Sequence, residues 1–116
     1  MTMRHVLLLD LVDDPDAIAR YEAWHAAGAV PAAVVNSIRA AGIASMQIFR
    51  SGNRLAMVMD VTEAFDVASK AARDAADPDV IAWERLMDTF QQPLPWAEAG
   101  AKWTPAPLIF DLAAQP

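Results

Sequence analysis

An α+β fold, with an antiparallel sheet covered by helices on one face, is predicted by three features of this 116-residue sequence. Four short segments (3–12, 43–50, 54–61 and 107–112) carry the apolar alternation of strands, and the stretches between them carry helical spacing. Two of those stretches open on Asp-Pro, the signature of a capped helix start. The two middle strands are joined only by Ser51-Gly52-Asn53, a loop that permits an antiparallel hairpin and no crossover.

The first strand is Met3 to Val12. Met3, His5, Leu7, Leu9 and Leu11 share one face, while Arg4, Val6, Leu8, Asp10 and Val12 share the other. Both faces are apolar in the middle, which predicts a central strand covered on both sides. Asp13-Asp14-Pro15 then starts a helix with Ile18, Tyr21 and His25 on one stripe. Gly28 and Pro31 interrupt it. A second helical piece follows, with Val34, Val35, Ile38 and Ala41 inward and Gly42 placed to end it in the left-handed conformation.

After the hairpin strands, residues 63–76 read as an Ala-rich helix bearing Phe65, Ala68 and Ala72. Asp77-Pro78 opens another, in which Val80, Trp83, Met87 and Phe90 repeat at helical spacing. Gln91 to Trp96 reads as irregular, because Pro93 and Pro95 forbid both helix and central strand. The last strand is read over Pro107 to Leu112. The resulting order, β-α-β-β-α-β with the helices broken in two, is the ferredoxin-like arrangement. One sheet face stays open with its Leu and Met residues, and packing against a second copy of the chain is the simplest cover.

Composition sets the bounds on chemistry. The length fits one domain, 1–116. Of the 55% hydrophobic residues, 25 are Ala, which leaves enough larger apolar residues for one modest core. A net charge of −6 argues against nucleic acid and anionic membrane surfaces as partners. No apolar run approaches the roughly 20 residues of a membrane span, and the N-terminus lacks a signal-peptide pattern, so a cytoplasmic protein is expected. Without Cys there is neither disulfide nor thiolate chemistry, and two His residues offer few metal ligands, so no metal is expected.

Two groups of residues could carry chemistry. Tyr21, the one tyrosine, lies four residues before His25, so phenol and imidazole are neighbours on a helix. An imidazole ordinarily titrates at roughly pH 6.5 and can give or take a proton at neutrality. The second group is Trp83-Glu84 followed by Gln91, Gln92 and Trp96. A Trp face packs on the C–H bonds of a sugar ring and Glu or Gln side chains satisfy hydroxyls, which suits a small polyol. Each residue also has a plainer role: Trp83 on a core stripe, Tyr21 and His25 packing at a helix end, His5 hydrogen-bonded within its strand.

Tyr21-x-x-x-His25, Arg39 to Ile43 leading into Met46 to Phe49, the Gly52 to Leu55 hairpin and the Asp77-Pro-x-Val80-x-x-Trp83-x-x-Leu86-Met87 stretch together resemble the L-rhamnose mutarotase family. Trp83-Glu84, Gln91 to Ala97 and Lys102-Trp103 are most similar to its branch associated with L-fucose. The resemblance covers about residues 4–112. It implies a ferredoxin-like dimeric α+β barrel, no cofactor, and interconversion of α and β anomers of a 6-deoxy monosaccharide. In that reaction His25 is the expected acid/base residue and Tyr21 orients it or shares the proton transfer. Trp83 and Trp96 are the expected sugar platform, Glu84 and Gln92 the hydroxyl contacts, and His5 a further substrate contact. Members carry Trp-Pro-Glu shortly after the His, where this chain has Ala26 to Ala33. That difference leaves open a second class, a non-catalytic sugar-binding or cofactor-free oxygenase-type member of the dimeric α+β barrel group.

Overall fold

The sheet is centred on β1 (Met3–Leu11), which pairs along its whole length with β3 (Arg54–Val61), Leu9 opposite Leu55 and Leu7 opposite Met57. On the outer side of β3 lies β2 (Ile43–Ser51), antiparallel, with a bulge between Ile43 and Ser45. On the other edge of β1 two short strands follow one another, β4 (Gln91–Gln92) at Asp10 and Leu11, then β5 (Thr104–Pro105) at Leu7 and Leu8. The order β2-β3-β1-β4 in this computed structural model, which describes residues 1–116, is the ferredoxin-like order.

Four helices lie on one side. α1 (Pro15–Trp24) is capped by Asp14, whose carboxylate accepts the Ala17 N–H at 3.2 Å, with Pro15 at the first helical position. α2 (Ala32–Ala40) follows the turn at Gly28. α3 (Val67–Ala75) starts four residues later than the spacing suggests, because Asp66 takes the cap by accepting from the Ser69 N–H and Oγ. α4 (Pro78–Asp88) is capped by Asp77. Leu11 and Leu55 from the sheet close a core with Tyr21, Val34, Trp83, Met87 and Phe90. The alternation of β1 holds, since Leu9 and Leu11 are buried on the helix side.

Two stretches differ from expectation. Gln91 and Gln92 form a strand before the irregular chain begins, so the break comes at Pro93 itself. Pro107 to Leu112 is not a strand. The ladder stops after the Ala106 N–H donates to the Val6 carbonyl at 2.8 Å, because Pro105 and Pro107 on either side have no N–H to extend it. The chain then leaves the sheet as an arm ending in a 3₁₀ turn, Leu112–Ala114, capped by Asp111. Ile109 on this arm is 95% exposed. The radius of gyration, 15.0 Å, exceeds the roughly 13 Å of a compact chain of this length.

Gly42 ends α2 with φ at 91°, and its carbonyl accepts from the Thr62 N–H. A Cβ there would sit 2.8 Å from Thr62 Oγ1 and 3.1 Å from the Phe65 N. Gly42→Ala is expected to destabilise the fold by about 1–3 kcal/mol, read as a lower urea midpoint. An unchanged midpoint would remove the close approach as the reason for glycine.

Candidate active site

A cavity of about 650 Å³ lies between the sheet and the helices. Its middle is apolar, from Met46, Met57 and Met59 on the sheet and Val34, Val35 and Ile38 on α2. Two polar groups line it. One is Ser37, Asp74 and Lys70, in which Ser37 Oγ donates to Asp74 at 2.6 Å and Lys70 pairs with the same carboxylate, tying α2 to α3. The other gathers Tyr21, His25, Trp83, Glu84, Gln91, Lys102 and Trp103.

The second group arises from helix spacing. Tyr21 and His25 lie one turn apart at the C-terminal end of α1, and their rings stack at a centroid distance of 4.2 Å. The His25 Nδ1 lies 2.7 Å from the Tyr21 carbonyl oxygen. A carbonyl only accepts, so Nδ1 carries a proton, and the nitrogen that can give or take a second one is Nε2. Trp83 from α4 meets His25 edge-on at 5.4 Å between centroids, and Trp24 closes on Trp83 at 6.2 Å. The imidazole is therefore held by a backbone bond, the tilted Tyr21 ring and the edge-on contact with Trp83.

Tyr21 is 2% exposed. Burial holds its phenol above the ordinary value, with Glu84 adding to the rise and the Gln91 amide and Lys102 opposing it, so at neutral pH the hydroxyl keeps its proton. Lys102 reaches Glu84 Oε2 and Asp88 Oδ1, each at 2.6 Å. Burial disfavours its charge, but the bonds to Asp88 and Glu84 outweigh that and its pKa is raised. Gln91 Oε1 is buried with no hydrogen-bond partner, as is Thr104 Oγ1.

Of the residues expected from the sequence, Tyr21, His25, Trp83 and Glu84 meet in this cavity. Gln92, Trp96 and His5 do not line it. Gln92 sits opposite Asp10, on the sheet face away from the helices. Trp96 is 59% exposed, its ring 5.1 Å from the guanidinium of Arg54, which itself pairs with Asp10 through bonds of 2.8 and 3.2 Å. His5 is half-buried opposite Met59, outside the cavity wall. In their place the cavity holds Gln91, which the sequence grouped with Gln92, and Lys102 and Trp103, which it marked only through the family resemblance. Strand alternation picks Gln91 over Gln92 once 91–92 is known to pair with Asp10 and Leu11, since Leu11 points to the core. Trp103 packs against the core cluster just before β5.

Over residues 4–112 the chain matches the family model described as L-rhamnose mutarotase. It is 53% identical over 106 residues to an L-fucose mutarotase of Xanthomonas campestris pv. campestris, covering 91% of this chain and 85% of that one. Among solved structures it resembles the crystal structure of an L-rhamnose mutarotase from Formosa agariphila, with a TM-score of 0.68 at 17% identity, covering 95% of this chain and 98% of the other. The last likeness concerns the fold.

Proposed function

The chain belongs to the L-rhamnose mutarotase family, and on that premise we propose that it is an isomerase interconverting the α and β anomers of a 6-deoxy sugar, L-fucose before L-rhamnose. The observation that carries this reading is the His25 side chain, whose Nδ1–H is committed to the Tyr21 carbonyl while Nε2 is left for substrate beside a protonated phenol.

Ring opening and closure need one proton removed and one delivered, with no net change. His25 Nε2 takes the proton of the anomeric hydroxyl, the bond between C1 and the ring oxygen breaks, and the ring oxygen takes the proton of the Tyr21 hydroxyl. The free aldehyde turns about its bond to C2. Closure on the other face returns one proton to Tyr21 from the attacking hydroxyl and one from His25 to the new anomeric oxygen. Trp83 supplies a face for the ring's C–H bonds, Trp103 rather than Trp96 stands near it, and Glu84 accepts a hydroxyl. Saturation-transfer NMR of both sugars tests the reading: exchange with L-fucose faster than in buffer supports it. No acceleration of either sugar overturns it and leaves the binding-module or oxygenase-type class.

The same reading includes a homodimer through the open sheet face. That face carries Val6, Leu8, Val58 and Phe49, the last 56% exposed, and the apolar arm 107–112 has nothing of its own chain to cover it. Reciprocal packing about a two-fold axis covers both. Sedimentation of the wild type is expected to give a dimer, and Ile109→Asp with Phe110→Asp a monomer; a wild-type monomer at tens of micromolar refutes it. The absence of a cofactor and the cytoplasmic location expected from the sequence belong to this reading too.

A further inference from the structure

We infer that Lys102, together with Glu84, reads a vicinal diol of the sugar and sets which monosaccharides are accepted; the inference rests on the mutarotase reading. An ammonium has three N–H groups. In Lys102 one goes to Glu84 Oε2 and one to Asp88 Oδ1, both at 2.6 Å, which leaves one unused on a side chain that lines the cavity. Glu84 lines the cavity as well and keeps its second carboxylate oxygen unbonded. Gln91 contributes a buried Oε1 with no partner to the same wall. The wall therefore offers one spare donor beside a spare acceptor, both fixed by a charged hydrogen bond to each other. Adjacent sugar hydroxyls match this pair, one accepting from Lys102 and the other donating to Glu84.

The anchoring of Lys102 is separable from the reading of the diol. Glu84 and Asp88 are one turn apart on α4 and repel each other until the Lys102 charge lies between them. Lys102 also anchors the chain just ahead of β5, so Trp103 and the diol-reading pair are placed by one contact. Asp88 does not line the cavity, and this separates the two roles.

The test compares anomer exchange of L-fucose, 3-deoxy-L-fucose and 4-deoxy-L-fucose by the wild type, Lys102→Met and Asp88→Asn. Lys102→Met is expected to raise KM for L-fucose roughly 10–100-fold, the loss of a charge-assisted hydrogen bond, while kcat changes much less. For whichever deoxy sugar lacks the hydroxyl that Lys102 holds, the variant and the wild type should have the same KM. Asp88→Asn should keep the KM for L-fucose within about threefold. Unchanged KM in Lys102→Met overturns the inference, and so does an equal loss on all three sugars or an equal loss in Asp88→Asn, since each would reduce Lys102 to an anchor. A wild type that exchanges no sugar fails the mutarotase reading instead, and thermal unfolding of each variant shows whether it is folded.

Discussion

His25→Ala is expected to lower the rate of L-fucose anomer exchange by roughly 10²–10⁴-fold, the contribution of a positioned acid/base group, while KM changes little. The reason lies in the geometry at the end of α1. The backbone bond at 2.7 Å fixes which nitrogen carries the proton, and the Tyr21 and Trp83 rings fix the plane. His25 is only partly buried and contributes no residue to the core cluster, so the variant should remain folded. A His25→Ala protein that exchanges the sugar at the wild-type rate would take the imidazole out of the mechanism. Tyr21→Phe serves as the companion measurement. It keeps the ring stacked on His25 and in the core, and removes only the hydroxyl.

The second large effect is at Trp83. Its side chain belongs to the core with Leu11, Leu55 and Met87 and also forms the cavity wall beside His25. Trp83→Ala is expected to cost about 3–5 kcal/mol in stability, a large part of what a domain of this size has. Trp83→Phe retains a flat apolar face and should cost less, so it isolates the contact with the sugar: a raised KM with the fold intact. Equal KM values in Trp83→Phe and the wild type would confine Trp83 to packing. A denaturation midpoint for Trp83→Ala equal to that of the wild type would show that α4 does not depend on it.

The pairing of Tyr21 with His25 was legible in the sequence because a helix places residues four apart on one stripe, and Asp14-Pro15 announces that helix without tertiary help. Trp83 and Glu84 were legible in the same way from the Asp77-Pro78 start. The hairpin at Gly52, with φ at 57°, follows from local turn chemistry. The choices between Gln91 and Gln92, and between Trp96 and Trp103, were not legible. Both turn on which face of the sheet a short segment presents, and that depends on pairing with Asp10 and Leu11, some eighty residues away in the chain. Read as irregular chain, 91–96 carries no alternation from which a face could be taken.

Pro107 to Leu112 marks the same limit. Its alternation is that of a strand, yet the prolines at 105 and 107 deprive the ladder of donors, and the segment becomes an arm. By itself, then, the sequence determined what local physics controls: the Asp-Pro helix starts, the hairpin, the order of elements as far as α4, and the neighbours at helical spacing. Tertiary structure decided which side of β1 each later segment faces, and with it that Gln91, Lys102 and Trp103 join His25 while Gln92 and Trp96 do not. Contacts between residues distant in the chain depend on register, and a shift of one residue reverses every face.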